Sequence, residues 1–155
     1  MNAKFESSVD KTGMNILREL QMNARSTFSE IGRKVGLSSP AVAERVYKME
    51  GAGIINGYHA DINQNFLGQD IMAFITLTTQ PEKYQKIYSF AEGQKEIIEC
   101  HHISGDESLI IKVVSGSISQ LNTLVEKLSK FGETKTSIVL SSPVKKRIIE
   151  SISLG

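Results

Sequence analysis

The sequence predicts an α+β chain of two domains. Three observations carry that prediction. The first 60 residues read as mainly helical, with capping residues ahead of the apolar stripes and glycines at helix ends. From Ile71 onward, runs alternating with period two are interleaved with two further helical stripes. The 155 residues, 40% hydrophobic and 23% charged, suit one domain or two small ones of ordinary globular composition. The predicted division is residues 1–60, a hinge or linker over 61–69 that begins DINQNFLG, and residues 70–155.

The first domain reads as three short helices. Asp10 is placed to cap a helix whose apolar stripe is Met14, Ile16, Leu17 and Leu20. Thr27-Phe28-Ser29-Glu30 has the form of a capping box, Phe28, Ile31 and Val35 make the apolar face behind it, and Gly36 follows as a left-handed terminator. Leu37 plugs a short turn. Ser39-Pro40 then starts a third helix, with Ser39 as the expected cap and Pro40 at the first helical position. Val42, Val46 and Met49 fall on its buried face, and Ala41, Glu44, Arg45 and Lys48 on the opposite one, before Gly51 and Gly53 end it. Ile54, Ile55 and Tyr58 suggest an extended exit strand or hinge.

Helix, tight turn, helix is the pattern that lays its second helix in the DNA major groove, N-terminal residues toward the bases. Small residues at that end (Ser38, Ser39, Ala41) allow close approach, and Arg45 and Lys48 have the reach for phosphates or guanine edges. A plain three-helix bundle with a solvated charged face fits the spacing too.

The second domain reads β-α-β-β-α-β. Ile71 to Thr79 is the first strand, broken by Pro81. A helical stripe through Tyr84, Ile87, Tyr88 and Ala91 ends at Gly93. Glu96 to Ile103 and Leu109 to Val114 are the next strands, separated by the polar turn Ser104 to Ser108. Ser117 and Gln120 suggest another capping box ahead of Ile118, Leu121, Leu124, Val125 and Leu128. Thr134 to Leu140 is the last strand, stopped by Pro143. This order is that of a ferredoxin-like split βαβ sandwich, helices on one face of a sheet. Met72, Phe74, Ile110 and Val139 make the other face apolar, which predicts a dimer through the sheets.

Charge and chemistry narrow the function. The net charge of +1 looks unfavourable for nucleic acid, but residues 1–60 hold eight basic against six acidic residues and the remainder ten against eleven. No apolar run of about 18 residues exists to span a membrane, and the start MNAKFESSVDKTG lacks the apolar stretch of a signal peptide. One cysteine excludes an internal disulfide framework and fits a reducing cytosol. Cys100, His101 and His102 are strand neighbours pointing to alternate faces, so they do not form one metal site, and none is expected. No positioned nucleophile and base or Gly-rich phosphate loop supports an enzyme. Gly105-Asp106 reads as a hairpin turn or as a ligand loop offering backbone N–H groups and a carboxylate, which an amino acid requires. Lys145-Lys146-Arg147 reads as a solvated tail segment or a weak DNA contact.

Together the motifs resemble the Lrp/AsnC (feast/famine) family of transcription regulators. DKTGMNILREL, FSEIGRKVGL, SSPAVAERVYKMEGAGII and Gly57-Tyr58 carry the likeness in the first domain, ECHHISGDESLIIKV and TKTSIVLSSP in the second, over about residues 8 to 150. The resemblance implies a winged helix-turn-helix joined by a hinge strand to an effector-sensing sandwich. It implies double-stranded DNA as partner, dimers that build octamers or other even-numbered oligomers, no membrane, and a cytoplasmic, nucleoid-associated location. The DNA-facing set would be Arg25, Ser38, Ser39, Ala41, Glu44, Arg45 and Lys48. The effector, an amino acid, would use Ser104, Gly105, Asp106, Glu107 and Ser108 with Thr134 and Thr136, and no other cofactor is implied. The chain departs from many relatives at Ser108, where they have a second acidic residue, and at Tyr47, where they often have Arg. An effector-independent DNA-wrapping architectural protein is the alternative.

Overall fold

The computed structural model describes residues 9–144 and 147–150. They form two compact units, one running to Asp61 and joined by the tail from Val144, the other Ile62–Pro143. The tail was expected to stay with the second domain. Instead the Gln21 side-chain amide donates to the Ile149 carbonyl (3.0 Å) and accepts the Ile149 N–H (2.8 Å), a two-bond clasp no local pattern signals. Arg18 lies 3.8 Å from Glu150 beside it.

In the first unit, α1 is Lys11–Met22, α2 Phe28–Val35 and α3 Ser39–Gly51. Asp10 caps α1 by accepting the Gly13 N–H at 2.7 Å. The capping box of α2 is complete. The Thr27 N–H donates to Glu30 (2.7 Å) and the Glu30 N–H to the Thr27 hydroxyl (3.2 Å). Gly36 is left-handed at φ 72°, as expected. The cap of α3 falls one residue earlier than expected, because Ser38 is the extended residue and its hydroxyl accepts the Ala41 N–H. Val9, Ile16, Leu20, Ile31, Val42, Val46 and Met49 make one core. The turn between α2 and α3 is tight, since the Leu37 N–H donates to the Gly32 carbonyl at 2.9 Å. A Cβ on Gly32 would stand 2.4 Å from the Leu37 carbonyl oxygen, so the backbones can approach this closely only without one. After α3 no strand forms between residues 52 and 63 of the single chain. The expected hinge strand lacks a ladder partner there, and an unpaired extended segment is not a strand.

In the second unit a one-turn 3₁₀ helix, Gln64–Leu67, occupies the segment read as linker. There follow β1 (Ile71–Thr78), a 3₁₀ turn, α4 (Tyr84–Glu92), β2 (Ile97–His102), β3 (Leu109–Ser115), α5 (Ile118–Ser129) and β4 (Glu133–Ile138). The strand order is β2-β3-β1-β4, with each neighbouring pair antiparallel. Ala73, Ile75, Leu77, Leu109, Ile111 and Val113 turn to one face and pack under Ile87 and Ala91 of α4 and Leu121, Leu124 and Leu128 of α5. Register puts Met72, Phe74, Ile110 and Val114 on the opposite face, which no helix of this unit covers. The capping box expected on α5 forms only in half. Ser117 accepts the Gln120 N–H, but the Gln120 side chain accepts from Gly116 and not from the cap residue itself. Among the described residues no helix is long and apolar enough to cross a membrane.

Candidate functional site

The outer surface of α3 follows from its period. With Val42, Val46 and Met49 buried at about 100° per residue, Pro40, Glu44, Tyr47 and Lys48 fall opposite and are exposed. Tyr47 is 64% exposed, and its ring stands edge-on to Phe28 of α2 (centroids 6.3 Å, planes at 89°), which holds the phenol outward. At the N-terminal end, Ser38 and Ser39 are exposed and Ala41 is half-buried. The Ser38 hydroxyl accepts the Ala41 N–H and keeps its own O–H donor for a partner. Arg25 sits just before α2, in a turn where its N–H donates to the Asn23 side chain at 3.0 Å.

Two of the predicted cations already have carboxylate partners. Lys48 donates to Glu44 one turn earlier at 2.6 Å, and this hydrogen bond holds the Glu44 carboxyl below its ordinary range. Arg45 departs from the expected outward face. It lies on the flank, 39% exposed, with its guanidinium 2.8 Å from Asp10. The Gly13 N–H first, and Arg45 second, lower the Asp10 carboxyl.

The loop Ser104 to Ser108 hangs between β2 and β3, closed by the Ile103 N–H donating to the Ser108 carbonyl (3.0 Å). Gly105 has φ 132°, a conformation that disfavours any side chain, so the loop's shape depends on that glycine. Ser104 and Asp106 are exposed. Ser108 is committed inward. Its hydroxyl donates to the Thr79 carbonyl and accepts the Thr79 N–H, both at 3.1 Å, and its own N–H donates to the Leu77 carbonyl. Ser108 thus serves to clip the loop onto the end of β1. Glu107 lies 3.7 Å from Lys135 of β4. Thr134 and Thr136 flank Lys135, pair with Leu77 and Ile75 and share their face, Thr134 half-buried and Thr136 exposed. Glu107 and Ser108 therefore meet the start of β4 and the end of β1 in space, while Ser104, Gly105 and Asp106 project beyond the sheet. Sequence spacing offered no sign of Lys135 in this group, because the Glu107–Lys135 contact arises only when β1 pairs with both β3 and β4.

A shallow cleft lined by Gln94, Glu96, Gln120, Thr123, Leu124 and Lys127 lies elsewhere and includes none of the predicted loop residues. Cys100 and His102 share the face of Ile111 and Leu109, and His101 shares the other with Ile110. Burial raises the Cys100 thiol, and His102 packs against Tyr84 at 4.6 Å between ring centroids. Among the described residues no three His, Cys, Asp or Glu side chains gather as a metal group. Lys145 and Lys146 of the basic tail lie outside the described residues, and Arg147 is exposed.

Two family models match the chain. Residues 9–50 match the model of the AsnC-type helix-turn-helix domain and residues 72–149 that of the Lrp/AsnC ligand binding domain. The chain is 39% identical over 134 residues to the uncharacterized HTH-type transcriptional regulator YezC of Bacillus subtilis, covering 86% of this chain and 95% of that one. The structure of B. subtilis LrpC superposes with a TM-score of 0.84 at 29% identity, over 89% of this chain and 99% of that one. A Neisseria meningitidis transcriptional regulator solved as an L-Met complex reaches 0.86 at 21% identity, over 91% and 96%, a likeness of fold.

Proposed function

The chain belongs to the Lrp/AsnC family of transcriptional regulators, which are DNA-binding proteins with a ligand-binding domain and not enzymes, and from that premise we propose that it binds specific duplex sites under control of an amino-acid effector. The observation that carries the reading is the exposed surface of α3, with Ser38, Ser39, Tyr47 and Lys48 presented beside a tight turn. Ala41 and Glu44 lie on the same helix, and Arg25 precedes α2 in the helix-turn-helix. In the second unit the Gly105 loop offers backbone N–H groups for a carboxylate and Glu107 an acceptor for an ammonium, and Thr134 and Thr136 add hydroxyls on β4. A free amino acid carries both charges, so it is the ligand class these groups suit. The L-Met of the Neisseria regulator, which shares the fold, is in keeping with it. The effector acts through differential affinity for two assemblies of the chain, the one way a ligand shifts such an equilibrium. The assembly is a dimer formed through the uncovered sheet face, built up into an even-numbered oligomer. The chain works in the cytoplasm, on the nucleoid.

The test is a calorimetric screen of the twenty amino acids. It is paired with gel shifts on the DNA upstream of the chain's own gene, with and without an amino-acid mixture. Heat of binding for one amino acid, accompanied by an altered shift, supports the reading. Duplex binding with no amino-acid response sinks the effector and leaves the DNA-wrapping alternative. That alternative has its own support, since Ser108 and Glu107 already find partners within the chain.

A further inference from the structure

We propose that Arg45 is a positioning residue, which seats the recognition helix α3 on the cap of α1, and not a phosphate contact. The inference rests on the DNA-binding reading above. Its basis is one oxygen atom. Oδ1 of Asp10 accepts both the Gly13 N–H at 2.7 Å and the Arg45 guanidinium at 2.8 Å. The first of these bonds is the N-cap of α1, made from an extended backbone (φ −76°, ψ 178°), so the carboxylate is held in place whether or not Arg45 is present. Arg45 therefore docks onto a preset acceptor 35 residues away in sequence, and loses less freedom than an exposed pair of two mobile side chains. Its place on the helix agrees. It lies beside the buried Val42–Val46–Met49 stripe and turns to α1, whereas Tyr47 and Lys48 point away from the core.

The two roles predict opposite signs for one substitution. Asn caps a helix as well as Asp does, so Asp10→Asn keeps α1 capped and removes only the charge that holds Arg45. A guanidinium that contacts phosphate would be released by this change, and DNA affinity would rise or stay level. A guanidinium that seats α3 would lose its anchor, and affinity would fall.

The experiment measures binding of the full chain to the tightest duplex it selects from a random-sequence pool, and to a scrambled duplex, across a salt series. The expected result is that Asp10→Asn and Arg45→Gln each lower affinity for the selected duplex several-fold, with the double variant no weaker than the worse single one. Affinity for the scrambled duplex and the log–log salt slope of both variants match the parent, while Lys48→Ala reduces that slope by about 0.9 for one lost phosphate contact. Thermal melts establish that each variant is folded at the binding temperature, and Asp10→Asn alone decides the sign should Arg45→Gln unfold. Raised or unchanged affinity in Asp10→Asn, or a slope reduced by about 0.9 in Arg45→Gln, overturns the proposal. A parent chain that selects no duplex overturns the DNA-binding reading instead.

Discussion

Tyr58 shows how a single side chain can report on its surroundings. Its hydroxyl donates to Glu50 at 2.8 Å, and desolvation, followed by the bond and charge of Glu50, raises the phenol from 10.0 to about 12. Only the neutral phenol is favoured there. The stability it contributes is complete below pH 10 and is lost as pH rises through 12. An ultraviolet titration of phenolate absorbance should find one of the four tyrosines ionising near pH 12, absent in Tyr58→Phe. The parent's urea midpoint should fall from pH 10 to 12 more than that of Tyr58→Phe does; equal falls would mean that the phenol is not held neutral. Arg45 and Ser108 carry a second lesson of the same scale. Both residue types suit a ligand contact, and both find partners within the chain, Arg45 in Asp10 and Ser108 in the Thr79 backbone. Residue type does not reveal which partner is nearer.

At the scale of elements, local sequence is a good guide wherever the determining interaction is local. Asp10, Thr27 with Glu30, and Gly36 act within three or four residues, and each does so as its pattern implies, while Ser117 makes half of its box. Gly32 is the instructive exception. It sits mid-helix, where glycine ordinarily costs about 0.5–1 kcal/mol relative to alanine. Substituting alanine should therefore help, by helix propensity alone. The Cβ would meet the Leu37 carbonyl oxygen at 2.4 Å, however, and forcing atoms into a packed site costs about 1–3 kcal/mol. The contact outweighs the propensity. Gly32→Ala should lower the melting temperature of the full chain and weaken DNA binding, by displacing the turn that aims α3. A variant that melts higher and binds equally well would show that the turn has room to yield.

For the whole molecule, the uncovered sheet face is the dominant feature. Met72, Phe74, Ile110 and Val114 are half-buried side chains on a face that α4 and α5 leave open. Placing a charge there should cost little in a monomer, where water reaches the face, and much in an interface. Phe74→Asp should thus sediment as a monomer with parental circular dichroism, against a parent that sediments as a dimer or larger. A variant of parental size would place the interface elsewhere. The same substitution bears on DNA affinity. Each copy adds an excess of two positive charges over its first sixty residues, and phosphate contacts accumulate across copies of an assembly.

Composition and periodicity by themselves determined the two-unit α+β architecture, the order and nature of all the described helices and strands beyond the two 3₁₀ turns, and the caps at most helix starts. They could do so because hydrophobic period and capping are properties of neighbours in sequence. Only the tertiary structure decided that the tail returns to α1 through Gln21, that Gly32 is required by a backbone contact, that Lys135 joins the Glu107 loop, and that Arg45 belongs to Asp10. Each of these joins groups on different elements, or on opposite sides of a turn, and such pairings come into being only when the elements pack.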